Sequence, residues 1–130
     1  MQVQPYSVLL PFPGSSRVEI TEPAERRWVA VNQESGFAED PTSDPSINVP
    51  VFSGYSPSGT AEAPVVYCNY GREEDFLFLD RAGVNISGTI VLVRYGRIFR
   101  ANKCLMAQQR GAVGCLVYRY VVWISVVVNR

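Results

Sequence analysis

The sequence predicts an α+β domain in which short β-strands precede a small βαβαβ-like sheet with two helices. A length of 130 residues with 47% hydrophobic content suits one packed domain. Short apolar runs separated by Pro and Gly turns fill the first part, whereas residues 63–118 alternate strand-like runs with helical periodicity. A strand, helix, strand order favours parallel pairing with a right-handed connection.

Residues 1–48 are predicted to form a β-rich segment that leads into the core. The runs Tyr6–Phe12, Ser16–Thr21 and Arg26–Val31 have the length and composition of short strands. The stretch Asn32–Asn48 is rich in Glu, Ser, Gly, Asp and Pro, so it cannot bury enough apolar surface to form a regular element. We expect it to be an exposed acidic and proline-containing loop.

Residues 49–118 are predicted to form the core of the domain, with two helices between three strands. The Gly and Pro residues of Val49–Gly59 indicate turns, and a buried strand follows them. Gly83 and Gly111 stand where the two helices are expected to end. The predicted strands are Ala63–Asn69, Thr89–Arg94 and Ala112–Tyr118, and the predicted helices are Arg72–Ala82 and Phe99–Arg110.

The first predicted helix begins with three consecutive carboxylates, Glu73, Glu74 and Asp75. Negative charge in the first turn of a helix interacts favourably with the helix dipole, which is a sufficient reason for these residues. We therefore assign them no catalytic role.

Residues 119–130 form an atypical tail. Its apolar run Val121–Val128 is well short of the roughly 20 residues that span a bilayer as a helix. The run is interpreted as a strand or as an artefact foreign to the domain, and the tail is expected to fit the domain poorly. The first residues of the chain lack the basic stretch, apolar stretch and cleavage site of a secretory signal, so this terminus does not indicate export.

Composition excludes several classes of function. Twelve Lys and Arg residues balance twelve Asp and Glu residues, so no overall field attracts nucleic acid or an anionic membrane. The chain has no histidine, which excludes Ser-His-Asp and Cys-His catalysis and most catalytic zinc sites. Cys68, Cys104 and Cys115 form no CxxC pair, which argues against a metal knuckle and a full disulfide framework. At least one of them is predicted to be a buried free thiol.

The stretch RYGRIFRANK places Arg94, Arg97 and Arg100 at three-residue intervals directly after the predicted central strand. Their spacing is compatible with a solvated basic surface, since exposed charges contribute little to stability. Arg100 differs from the other two because it falls in the predicted first turn of a helix. A cation there is disfavoured by about 0.3–1 kcal/mol, and a bound anion would remove the conflict and use the free backbone N–H groups.

The strings GYSPSG, VVYCNYGREEDF, AGVNISGTIVLVRYGRIFRANK and AQQRGAVGCLVY occur in this order within Val49–Tyr118. They resemble the protease-associated (PA) domain of glutamate carboxypeptidase II and the N-acetylated-alpha-linked acidic dipeptidases, whereas residues 119–130 depart from the family pattern. Members of this family are zinc-dependent exopeptidases, typically type II membrane glycoproteins with the catalytic domain outside the cell. Their PA domain is inserted into the peptidase domain and roofs its active site. The resemblance therefore implies a lid rather than a catalyst.

The resemblance also implies a role for Arg100. This residue matches the arginine with which these peptidases hold the C-terminal carboxylate of a substrate ending in glutamate, and a planar guanidinium can pair with both carboxylate oxygens. Transferrin receptors resemble the same family without its peptidase activity and have an aromatic residue at this place. Arg100 therefore favours the enzyme branch, whereas Arg94 and Arg97 are still interpreted as a basic surface.

The tripeptide Asn85-Ile86-Ser87 is a glycosylation sequon that lies just before a predicted strand, as a surface turn would. Its position matches a sequon of the resembled family, which makes Asn85 a glycosylation candidate. Sequons also occur by chance and are modified only after export, so both interpretations stay open.

The resemblance implies that this chain is a partial substrate-recognition domain of a zinc-dependent glutamate carboxypeptidase-like exopeptidase, inactive alone. It has no expected catalytic or metal-binding residue, and zinc belongs to the parent family. The implied partners are the missing peptidase domain of the parent protein, an acidic peptide substrate and a second copy in a homodimer, but no nucleic acid. The implied location is the extracellular side of a membrane. The alternative is a non-catalytic protein-interaction or dimerisation domain of a transferrin receptor-like protein.

Overall fold

The computed structural model describes residues 3–31, 35–49, 51–119 and the backbone of 124–128. A two-stranded antiparallel sheet comes first in the described chain, and a four-stranded sheet with two α-helices follows it. This is the α+β arrangement that the sequence predicts.

The strands and helices of residues 63–118 follow one another in the predicted order. The described elements are β1 (Glu19–Ile20), β2 (Trp28–Val29), β3 (Val65–Tyr67), α1 (Glu73–Arg81), β4 (Ile90–Arg94), α2 (Arg100–Gln109), β5 (Gly114–Tyr118) and β6 (Ile124–Val128). Strands β3, β4 and β5 are parallel neighbours, with Val66 opposite Val91 and Val91 opposite Cys115. The predicted βαβαβ order is confirmed, and the predicted ends are correct to within a few residues.

The core lies on one face of the larger sheet, because side chains alternate between the two faces of a strand. The buried residues of the two central strands on this face are Val91, Val93, Cys115 and Val117. Phe76 of α1 and Ala107 of α2 belong to the same buried cluster. Both helices therefore cover the same face, whereas Ile90 and Leu92 on the other face are only half-buried.

The ends of α1 have the chemistry that the sequence predicts. Glu73, Glu74 and Asp75 form its first turn, and Asp75 Oδ2 accepts a hydrogen bond from the backbone N of Arg72 at 3.0 Å. This contact satisfies one of the N–H groups that a helix leaves unpaired at its start. Gly83 follows the helix with a φ of +72°, in the region that favours glycine.

The first predicted strand is wrong. Residues Tyr6–Phe12 form no regular strand, and Leu9 is 92% exposed. Pro5, Pro11 and Pro13 flank or interrupt this run and have no N–H group for a ladder of hydrogen bonds. Of the next two predicted strands, only the central residues pair, as β1 and β2.

The loop predicted at Asn32–Asn48 is mostly exposed where it is described, and its residues 32–34 lie outside the described residues. Contrary to the prediction of no regular element, Pro41–Ser43 form a short 3₁₀ turn. Asp40 explains it, because its Oδ1 accepts a hydrogen bond from the backbone N of Thr42 at 2.9 Å. Such local hydrogen bonding requires no buried apolar surface.

The tail contributes a strand to the larger sheet. β6 pairs antiparallel with β5 along its whole length, from Val128 opposite Gly114 to Ile124 opposite Tyr118. The expectation of a poor fit is wrong for Ile124–Val128, because a valine-rich run has high strand propensity and β5 otherwise has an open edge. The family origin of residues 119–130 stays a prediction. Neither of the described helices is long and apolar enough to cross a membrane.

Candidate functional site

The candidate site comprises the loop Tyr95–Phe99 and the start of α2, at the carboxyl ends of the parallel strands. Ligands of open α/β sheets commonly bind at this end. Residues Tyr95 to Arg100 line an open cleft of about 570 Å³. The loop begins with a hydrogen bond from Tyr95 N to Tyr118 O at 2.7 Å, which connects it to the end of β5.

The backbone of this loop adopts the left-handed region at Gly96 and Arg97, with φ values of +97° and +70°. Glycine adopts this region readily, whereas a side chain such as that of arginine is less favourable there. Ile98 N donates a hydrogen bond to Gly96 O at 2.9 Å and closes a tight turn. Because the turn lies directly before α2, its shape sets the position of Arg100.

The structure places Arg100 at the first residue of α2, as the sequence predicts. Its side chain is exposed and makes no hydrogen bond or ion pair with any residue in the described ranges. The residue before the helix is Phe99, whose side chain cannot accept a hydrogen bond, and the first turn contains no acidic residue. The start of α2 therefore combines a guanidinium with unpaired backbone N–H groups, without a negative group that would balance them.

Arg94 and Arg97 contact an aromatic ring, which the interpretation as a basic surface did not include. Their Cζ atoms lie 5.1 and 5.4 Å from the centre of the Tyr70 ring. The Cζ atom of Arg72 and the Nζ atom of Lys103 each lie 5.8 Å from the same centre. These distances suit cation–π attraction, and we call the five residues the Tyr70 cluster.

Lys103 connects the two loops of the site from within the domain. It is completely buried (0% exposed), and its ammonium donates hydrogen bonds to Tyr70 O and, at 2.6 Å, to Gly96 O. Burial lowers the pKa of Lys103 because it disfavours the charged form, and the charge of Asp75 opposes this effect. One ammonium thus joins the loop after β3 to the loop after β4.

Gly71 allows the loop after β3 to pack closely against the core. Its φ is +63°, and a Cβ atom there would lie 2.9 Å from Val93 Cγ1 and 3.2 Å from Lys103 Cβ. Both the backbone conformation and the space therefore favour glycine at this position.

Asp75 holds the same loop from the start of α1. Its carboxylate accepts hydrogen bonds from Arg72 Nε at 3.0 Å and from Asn69 Nδ2 at 2.9 Å, besides the one from the Arg72 backbone. Burial raises the pKa of Asp75, but the hydrogen bonds from Arg72 and Asn69 outweigh it and hold the pKa below its usual value. The charged carboxylate neutralises Arg72 within the Tyr70 cluster.

The other predicted site residue lies elsewhere. Asn85 is exposed in the turn before β4, where its Oδ1 accepts a hydrogen bond from Ser87 N at 3.0 Å. Arg100 follows the opposite end of β4. The structure therefore does not bring the two residues into one site.

Sequence reasoning missed Tyr70 and Lys103. Lysine is usually exposed, and the residues around Lys103 contain no pattern that marks it as buried. The available signal was Gly71, since a glycine in the loop that follows a strand indicates a turn or a close approach of the backbone.

Metal-binding groups are a separate question. Within the described ranges, no group of three or more His, Cys, Asp or Glu side chains could hold a metal ion. The described residues therefore do not fit the zinc of the resembled family.

The sequence profile of the PA domain matches residues 61–122. This range includes the strands β3, β4 and β5, both helices and the candidate site, and it extends beyond Tyr118 into the tail. The chain belongs to the PA domain family.

Curated relatives define the group more narrowly. A probable glutamate carboxypeptidase of Arthroderma benhamiae is 38% identical over 113 residues, which are 87% of this chain and 16% of that protein. Aminopeptidase NAALADL1 of Rattus norvegicus is 36% identical over 116 residues, or 87% of this chain and 15% of that protein. Transferrin receptor protein 2 of Mus musculus is 41% identical over 78 residues, or 60% of this chain and 9% of that protein. The chain is thus a PA domain of the glutamate carboxypeptidase and transferrin receptor group, and it spans 16% or less of the length of each of these relatives.

Proposed function

We propose that this chain is the substrate-recognition part of a larger zinc-dependent exopeptidase, in which Arg100 binds the C-terminal carboxylate of a substrate ending in glutamate. The position of Arg100 carries the proposal, because it is exposed at the start of α2 and lines an open cleft. The names of two relatives, a probable glutamate carboxypeptidase and an aminopeptidase, support a parent protein with peptidase activity.

The chemistry of the site suits a carboxylate. A guanidinium presents a planar fork of donors that matches the two oxygens of a carboxylate, so one contact supplies both affinity and orientation. The unpaired N–H groups at the start of α2 are further donors, and the helix dipole adds favourable electrostatics. A bound carboxylate would also supply the negative charge that the first turn of α2 lacks.

The surroundings of Arg100 favour binding by a preorganised site. Lys103 holds the loop before α2 from within the domain, through its hydrogen bond to Gly96 O and its contact with the Tyr70 ring. A loop that is already ordered loses little conformational entropy when a ligand binds.

In this proposal the domain acts as a lid over the separate peptidase domain of the parent protein. That domain supplies the zinc and every catalytic group, and the described residues of this chain contribute binding and orientation. The parent protein lies on the extracellular side of a membrane and forms a homodimer. In that location the exposed Asn85 is a glycan acceptor.

The second candidate is a non-catalytic interaction or dimerisation domain. The observation in its favour is the 41% identity to transferrin receptor protein 2 of Mus musculus over 78 residues. The two candidates differ in the role of Arg100, because an interaction domain has no need for a site that binds a free terminal carboxylate.

Kinetics of the full-length protein that carries this domain distinguish the candidates. The substitution Arg100→Ala removes the charge-assisted contact between the guanidinium and the terminal carboxylate of the substrate, which is worth about 1.5–3 kcal/mol. The kcat/KM for a glutamate-ending dipeptide should therefore fall roughly tenfold to hundredfold. The C-terminal amide of the same dipeptide should be affected little. Arg97→Ala is the matched control, because it removes the same charge from the same segment at a side chain that contacts Tyr70.

Equal losses for the acid and the amide, or for the two arginine variants, would contradict a carboxylate clamp and leave only general electrostatic attraction. A full-length protein that cleaves neither substrate would favour the second candidate.

A further inference from the structure

Two buried cysteines lie side by side between α2 and β5. Cys104 Sγ and Cys115 Sγ are 3.0 Å apart, and one thiol donates a hydrogen bond to the other. Both belong to the hydrophobic core, with exposed fractions of 9% and 0%. The third cysteine, Cys68, is also buried, but its thiol donates to Val66 O at 3.7 Å.

The arrangement of Cys104 and Cys115 needs little change to become a covalent bond. The sulfur atoms of a disulfide are about 2.05 Å apart, so the two thiols have to approach by about 1 Å. The two residues are 11 positions apart in sequence, on a helix and a strand joined by a short turn. Their elements are already packed together in the core, which keeps the two sulfur atoms close in the folded domain.

We propose that Cys104 and Cys115 form a disulfide that ties α2 to β5 when the chain folds under oxidising conditions. Disulfides form in oxidising compartments, so the bond is expected in the native parent protein if the proposed extracellular location of that protein is correct. The chemistry of the pair itself does not depend on substrate recognition. It can therefore be tested on this chain alone.

The oxidant is a small-molecule disulfide such as oxidised glutathione. The Cys104 thiolate attacks one sulfur of the oxidant, which forms a mixed disulfide and releases one glutathione thiolate. Cys115 then loses its proton and attacks Cys104 Sγ, which forms the protein disulfide and releases the second glutathione thiolate. The two cysteines together lose two electrons and two protons, and oxidised glutathione is reduced to two molecules of glutathione.

The surroundings favour Cys104 as the first nucleophile. The hydrogen bond with Cys115 and the charge of Lys103 lower the pKa of Cys104, although burial acts in the opposite direction. The same hydrogen bond and burial raise the pKa of Cys115. Since both thiols are buried in the folded domain, the exchange takes place while the chain folds or when α2 opens locally.

The bond has a consequence for the candidate site. Cys104 lies one helical turn after Arg100, and it directly follows Lys103 in α2. A covalent link at Cys104 therefore holds the first half of α2 against the sheet, which restricts the position of the helix start where Arg100 lies.

Peptide mapping of the refolded full chain tests the proposal. The chain is refolded from denaturant in a buffer of reduced and oxidised glutathione, its remaining thiols are alkylated, and it is digested with trypsin. Cleavage after Lys103 and Arg110 separates Cys104–Arg110 from Gly111–Arg119. We expect these two peptides to be joined, with a mass equal to their sum less two hydrogen atoms, and we expect Cys68 to be alkylated.

Thermal unfolding gives a second readout. The oxidised chain should unfold at a temperature about 10 °C above that of the chain reduced with dithiothreitol. Cys104→Ala and Cys115→Ala should abolish the difference between oxidised and reduced samples. Cys68→Ala is the matched control, because it also removes a buried thiol and should keep the difference.

Alkylation of both Cys104 and Cys115 after oxidative refolding, or a disulfide that involves Cys68 instead, would overturn the proposal. The mapping is done on the unmodified sequence, so a cysteine variant that fails to fold does not affect it. Neither readout uses a substrate, so the result is separate from that of the carboxylate clamp.

Discussion

Replacing Lys103 with methionine removes the buried ammonium that joins the two loops of the candidate site and keeps a side chain of similar length. The carbonyl oxygens of Tyr70 and Gly96 lose their charged donor. An unsatisfied buried acceptor costs about 1–3 kcal/mol, while relief from burying the charge opposes this loss. We expect the free energy of unfolding to fall by about 2–4 kcal/mol, which lowers the unfolding temperature by roughly 10 °C.

The assay combines calorimetry with amide hydrogen exchange. Gln108→Met is the matched control, because it introduces the same residue at an exposed position of α2 and should shift the unfolding temperature by no more than about 2 °C. The amide of Ile98, which donates to Gly96 O, should exchange faster in Lys103→Met. The amides of the central strand β4 should change only as much as the global stability does.

The pH dependence gives an independent check. Burial lowers the pKa of Lys103 in the folded state, so between that pKa and the ordinary value of 10.5 the unfolded chain binds more protons than the folded one. The stability of the unsubstituted chain relative to Lys103→Met should therefore rise with pH in this window. An unfolding temperature like that of the control, together with unchanged exchange at Ile98, would refute the view that Lys103 holds the two loops together.

Three further predictions concern the same domain. Asp75→Asn should lower the free energy of unfolding by about 1.5–3 kcal/mol at neutral pH. The pKa of Asp75 is lowered on folding, so the stability that this carboxylate contributes is present above pH 3.8 and is lost as the pH falls through the folded pKa. The stability of Asp75→Asn should therefore depend less steeply on pH in acid than that of the unsubstituted chain. Acid-unfolding curves of equal slope for the two proteins would contradict this. Gly71→Ala should lower the free energy of unfolding by about 2 kcal/mol or more in denaturant titrations, because Gly71 has a positive φ and crowded surroundings. Gly14→Ala should change it little, because a Cβ atom added at Gly14 would meet nothing within 4 Å. The isolated chain with added zinc should leave a glutamate-ending dipeptide intact, and glutamate release that a chelator stops would show that this expectation is wrong.

The second half of the fold was predictable because its elements have local signals at their ends. The three carboxylates Glu73–Asp75 mark the start of α1, and Gly83 and Gly111 follow the two helices. The apolar runs of β4 and β5 bury one face each, so their type did not depend on distant residues. The prediction that β3 is a buried strand is wrong, because Val65 and Tyr67 are exposed and Val66 is only half-buried. The failed strand at Tyr6–Phe12 shows the limit of this approach, since an apolar run does not reveal whether a partner strand exists.

The candidate site was predictable only in part. Arg100 was selected from the resemblance to the glutamate carboxypeptidases, and its place in the first turn of a predicted helix is a local feature that agrees with this selection. Lys103 and Tyr70 could not be selected, because they are 33 positions apart and their contact arises only when the two loops meet. The same holds for Cys104 and Cys115, whose proximity requires the packing of α2 on β5.

The strand β6 also determines how the larger sheet meets its surroundings. It lies at the outside of the sheet next to β5 and pairs with every residue from Gly114 to Tyr118. Without it, the outward N–H and C=O groups of β5 would form a template on which a strand from another molecule could add. Because β6 is itself the outermost described strand on this side and also has five residues, it moves this template from Gly114–Tyr118 to Ile124–Val128, whereas β3 at the opposite side, with three residues, offers a much shorter one.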